Sequence, residues 1–255
     1  MHRTTHTSTG TPWQIVAEDA AVLTLGPLVA RVQFDPLGVR WQVISWQGQL
    51  SDFLGAMITA GPGPRPQRLA LGEAYVRGSD LIVSYAPQPQ YPFTPHFRWQ
   101  ATWHPEHAAV QIEMILSVQT DQLDTRPEAT LTSFALQSRL FSAEALTPEA
   151  FVELTPPQVR EVRADGSRQH LIVFRQEELG VSYAEMVHSS DFVQRTLRLD
   201  QTPWRVESLL FPERLEKGVI RRGRISGWLL SAENDLAAAV ALARQFEEEP
   251  PPLTA

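Results

Sequence analysis

The sequence predicts an all-β protein, a large antiparallel sandwich with one C-terminal α-helix. Three observations lead there. Polar and apolar residues alternate with a period of two over most of the 255 residues. More than ten such runs are separated by Gly, Pro, Asp and Ser punctuation such as "ADGS" and "DQTP". The segments between runs are too short to hold the crossover helices that a parallel sheet requires.

The runs follow in order. "VLTLG", "VARVQFD" and "VRWQVISW" open the chain, and "LIVSYA" precedes the clearest pair. In "HFRWQATWH", Phe97, Trp99, Ala101 and Trp103 share one face, and His96, Arg98, Gln100, Thr102 and His104 the other. After the turn "HPEHA", Val110, Ile112, Met114, Leu116 and Val118 alternate with Gln111, Glu113 and Ser117. This is the pattern of an antiparallel hairpin with one face buried and one wet or lining a cleft. "ATLTSFALQ", "HLIVFR", "GVSYAEMV", "VQRTLRL", "WRVESLLF" and "GVIRRGRISGWLL" complete the strands. A helix is expected over 232–248, capped by Ser231, with Glu233 and Asp235 at the positive end of its dipole and prolines 250–252 stopping it. Residues 1–12 read as a polar tail and 13–255 as a single domain. Two proline-rich loops, 61–67 and 86–95, are either rigid connectors or the rim of a binding face.

Composition narrows the function. The net charge of −7 disfavours nucleic acid and anionic membrane surfaces as partners. With no cysteine, disulfides, thiolate nucleophiles and Cys-type zinc sites are excluded. No run reaches the roughly 18 apolar residues of a membrane span, and the N-terminus lacks a signal-peptide core. A cytoplasmic location is therefore expected. The glycines of "GPGPRP" cannot cradle a phosphate, because the prolines remove backbone donors and no helix follows. No nucleophile elbow, P-loop or paired-histidine zinc motif occurs. No cofactor is expected.

Three constellations remain. His104 and His107 in "HPEH" lack further metal ligands in sequence reach, so His104 reads as the end of the polar face that begins at His96. In "YAEMVHSSDF", Glu185, His188 and Asp191 can gather at one rim as an acid–base set. Alternatively, Asp191 caps the turn and Glu185 pairs with an arginine across the sheet. In "LFPERLEKGVIRRGRISGWLL", a strand emerges from the core near Arg221 and Arg222, preceded by Arg214, Glu216 and Lys217. These three either neutralise one another with Glu213 or form a cleft lip for a polyhydroxylated or anionic ligand. Lys217 is the only lysine, a hint of a need for a compact ammonium.

The many antiparallel strands, the aromatic hairpin and its polar face together resemble the galactose-mutarotase-type β-supersandwich over roughly residues 13–230. That group includes aldose and hexose-phosphate epimerases. The resemblance implies a small-molecule ligand of sugar type, held on a concave sheet face, and a histidine acid with a late carboxylate base. His96, His104 or His188 fits the first role and Glu207, Glu213 or Glu216 the second. The resulting assignment takes His188, Glu185 and Glu216 as catalytic candidates. His96, Arg98, Gln100, His104, Arg214 and Lys217 are the ligand-binding candidates. The competing class is a non-catalytic scaffold, which would show a flat, partly apolar patch and no convergent titratable pair.

Overall fold

Alternation produces two antiparallel sheets stacked face to face. The computed structural model describes residues 11–35, 38–50, 54–60, 69–89, 92–136, 138–163, 170–211 and 213–250. The tail up to residue 10, the loop 61–67 and "ADGS" lie outside these residues.

The first sheet contains β1 (Trp13–Ala17), β2 (Ala20–Leu25), β3 (Leu28–Asp35), β4 (Gly38–Trp46), β5 (Gln49–Leu50), β6 (Leu54–Ala60), β11 (Ala129–Ala135), β14 (Val159–Arg163), β17 (Gln194–Arg198) and β18 (Trp204–Leu210). Its order is β1-β2-β3-β4-β6-β11-β18-β17-β14, with β5 paired to β4. The second sheet contains β7 (Ala70–Arg77), β8 (Asp80–Ala86), β9 (Phe93–His104), β10 (Ala109–Thr120), β12 (Arg139–Ala143), β13 (Val152–Leu154), β15 (Leu171–Gln176), β16 (Val181–Val187) and β19 (Ile220–Ser231). Its order is β13-β12-β15-β16-β19-β10-β9-β8-β7.

The main core lies between the sheets. Trp41, Phe34 and Val206 enter from the first sheet, and Phe97, Trp99, Met114 and Tyr183 from the second. A second, smaller core lies on the outer side of the second sheet. There α1 (Asp235–Glu248) places Ala239, Val240, Ala243 and Phe246 on Trp228, Met186, Ala184 and Val173. The helix thus roofs β15, β16 and β19 and leaves β7 to β10 open.

The helix begins at Asp235, three residues later than expected. Ser231 is still paired in β19, and the N-cap is Asn234, in the left-handed conformation at φ 60°. Asp235 is buried and holds the helix start to the sheet. It accepts hydrogen bonds from Arg175 (Nη2, 2.6 Å; Nε, 2.8 Å) and from the Ser182 hydroxyl at 2.5 Å. Among the described residues no helix is long and apolar enough to cross a membrane.

Candidate functional site

The predicted hairpin forms in register, with Trp99 opposite Met114 and Gln100 opposite Glu113. Trp99 points inward and is buried; Trp103 is 36% exposed and packs beside Gly26. On the outer face, register pairing across β19, β10, β9 and β8 aligns side chains in rows. One row is Arg222, Ser117, His96 and Ser84. The next is Arg224, Ile115, Arg98 and Ile82, and the third is Ser226, Glu113, Gln100 and Asp80. Rows are two residues apart, about 7 Å along the strands.

The first two rows enclose a hollow of about 220 Å³, lined by His96, Arg98, Ser117 and Arg222 over the apolar floor of Ile82 and Ile115. Burial holds the His96 imidazole below its usual pKa, although the Glu73 charge pulls the other way, so the ring is neutral at pH 7. Arg98 donates from Nε to Asp80 at 2.8 Å. In the third row, burial raises the Glu113 carboxyl, and the neighbouring Glu249 adds to the effect. Arg224 and Arg98 oppose it. Beyond that row, His104 and Gln111 are joined at 2.7 Å, and the Gln111 amide donates to Ser226 at 3.0 Å. The imidazole of His104 also lies 3.4 Å from Glu106.

Four of the expected ligand-binding residues, His96, Arg98, Gln100 and His104, therefore share one open face. The others are elsewhere. Arg214, Glu216 and Lys217 are exposed in the connection between β18 and β19, where Arg214 reaches Asp124 at 3.4 Å and Arg221 pairs with Glu213. His188 lies beneath the end of α1. It contacts Ser190 at 2.8 Å, and its ring meets Phe246 edge-on.

Glu185 faces the opposite way, into the core between the sheets. Its Oε1 accepts from Arg195 at 3.2 Å, and its Oε2 accepts from Tyr183 at 3.0 Å and from Ser133. Arg195 in turn donates to Ser208 at 2.8 Å and to the His170 carbonyl at 2.9 Å. Every member is buried. Glu185 and His188 thus stand on opposite faces of the second sheet, and no shared ligand can touch both. Glu185 does pair with an arginine, but with one from the facing sheet rather than across its own. Asp191 ties its turn to β19 by accepting the Arg224 N–H at 2.9 Å.

Ser117 and Arg222, which complete the hollow, were not among the expected ligand contacts. The hairpin register sets Ser117 opposite His96, whereas Arg222 joins their row only through the pairing of β10 with β19, which links segments about a hundred residues apart.

No protein-family model and no curated protein matches the sequence. Solved structures do match in fold. A galactose mutarotase-like protein from Clostridium acetobutylicum superposes with a TM-score of 0.50 at 6% identity, over 86% of this chain and 98% of that one. A TPR-domain containing protein from Parabacteroides distasonis gives 0.51 at 9% identity, over 84% of this chain and 47% of that one. A galactose mutarotase-like protein from Lactobacillus casei gives 0.42 at 10%, over 82% and 99%. At these identities the likeness is one of architecture, and the chain has the galactose-mutarotase-like β-supersandwich fold.

Proposed function

We propose that the protein binds a carbohydrate, preferentially one with an acidic substituent, on the open half of its second sheet. The observation that carries this reading is the hollow in which a neutral imidazole, a serine hydroxyl and two guanidinium groups surround an aliphatic floor. Neutral His96 and Ser117 offer both donor and acceptor to hydroxyl groups. Arg98 and Arg222 favour a carboxylate or phosphate. Ile82 and Ile115 suit the C–H face of a pyranose ring.

Thermal shift against hexoses, hexose phosphates and uronic acids tests it. At a ligand concentration about ten times Kd, a rise of about 3 °C is expected for at least one acidic sugar. The rise should vanish in Arg222→Ala and His96→Ala. No response from any sugar would overturn the reading.

A second reading, aldose ring opening, is favoured by the Glu73 charge that reaches His96. One of the two would take the anomeric hydroxyl proton as the C1–O5 bond breaks, and the other would supply a proton to O5. Glu113 is a poor partner for His96, being about 13 Å away along the strands. Anomer interconversion followed by NMR should exceed the background rate and fall back to it in Glu73→Gln. An unaccelerated rate with the sugar bound leaves binding as the function.

A further inference from the structure

The third row of the outer face carries polar groups without internal partners. Glu113 and Gln100 are adjacent in register and half-buried. Among the described residues, neither side chain makes a hydrogen bond or an ion pair. Arg224, diagonal to Glu113 across β10 and β19, is only 2% exposed, yet its Nε and Nη2 have no partner. Its Nη1 donates to the carbonyls of Glu249 and Pro250, both at 3.3 Å, and its guanidinium lies 5.5 Å from the Phe246 ring centre, so it sits under the end of α1. At the far side of the row, Asp80 Oδ1 is also buried without a partner. The charged atoms left unsatisfied in the described residues thus gather along the second and third rows. Each such atom is costly unless a polar guest or water completes it.

We propose that Glu113 and Gln100 form a second, hydroxyl-binding subsite next to the hollow, so that the ligand is longer than one sugar ring. The carboxylate accepts from one hydroxyl of the second unit, and the amide both donates to and accepts from its neighbour. Arg224 is a positioning residue. Its guanidinium, diagonal to Glu113, opposes the upward pull of burial and of Glu249 on that carboxyl. The hollow is centred between the first two rows and the subsite lies at the third. That offset, about 10 Å along the strands, suits a ligand with two linked rings. This inference rests on the binding reading above and extends it to the ligand's size.

The test compares glucose, galactose and galacturonic acid with maltose, lactose and digalacturonic acid by thermal shift and calorimetry. At least one disaccharide should bind about tenfold more tightly than its component monosaccharide. Glu113→Ala and Gln100→Ala should each remove that surplus and leave monosaccharide binding unchanged. Equal affinity for one and two units, or a surplus that survives both substitutions, overturns the subsite while the hollow stands. If nothing binds, both readings fall. Without ligand, Glu113→Gln should raise Tm by about 2 °C, because it removes a half-buried charge that has no partner. A fall of several degrees would mark Glu113 as structural and overturn the subsite on its own.

Discussion

Two carboxylate–arginine neighbours occupy opposite faces of the second sheet, and they are built differently. Glu185 and Arg195 lie wholly between the sheets, and both guanidinium edges and both carboxylate oxygens find partners. Glu113 and Arg224 lie on the outer face, close enough to influence each other, yet they form no ion pair and leave polar atoms unsatisfied. The first arrangement finishes its hydrogen bonds within the chain and has nothing left to offer a ligand. The second has capacity to spare. Burial and charge alone would rank the core pair as the site; satisfaction of partners separates architecture from recognition.

The largest effect should come from breaking the core pair. Arg195→Ala leaves Glu185 charged and unpaired between the sheets. It should cost about 3–5 kcal/mol in denaturant unfolding, with Glu185→Ala close behind. Replacing both with methionine should cost less than either single alanine, because no lone charge remains. A loss below about 1 kcal/mol for Arg195→Ala would erase the contrast drawn here.

Next in size is Gly227→Ala. An added Cβ would stand 2.5 Å from the Tyr183 hydroxyl, which donates to Glu185, so the ring must shift and the bond stretch. We expect a loss of about 1–3 kcal/mol, with the proposed carbohydrate binding unaffected in the folded fraction.

The smallest effect is a slope with pH. His170 is buried beside Arg195, and burial followed by the arginine's charge holds its pKa well below 6.5. The folded state therefore keeps the ring neutral where the unfolded chain binds a proton. Its contribution to stability is whole above pH 6.5 and is lost as pH falls from there toward the folded pKa. Chemical denaturation between pH 7.5 and about 5 should show this decline, and His170→Gln should flatten it. A wild-type slope unchanged by the substitution would assign the decline to other groups.

The strand alternation made the hairpin legible, and with it the face shared by His96, Arg98, Gln100 and His104, because side-chain direction in a strand follows position alone. Direction was not readable in "VSYAEMV". That strand is buried on both sides, with Ala184 and Met186 under the helix and Tyr183 and Val187 toward the other sheet. A carboxylate there looks the same in sequence whether it meets solvent or an arginine. Arg195 is ten residues away in sequence and in the other sheet, so only the stacking of the sheets brings the two together. Arg214, Glu216 and Lys217 are close in sequence to Arg222, yet the chain turns between them with Gly218 at φ 81°. Proximity along the chain did not survive that turn. The strands 70–77 and 139–143 carried weaker alternation and short spacers, and their pairing shows only once their neighbours are placed.

A single helix shades half of the second sheet, and its C-terminal end lies over Arg224 of the second row. Each helical turn adds about 5 Å of cover, and the last one carries Phe246, which packs on Trp228. The length of that terminal segment therefore decides how much of the outer face of this sheet stands uncovered.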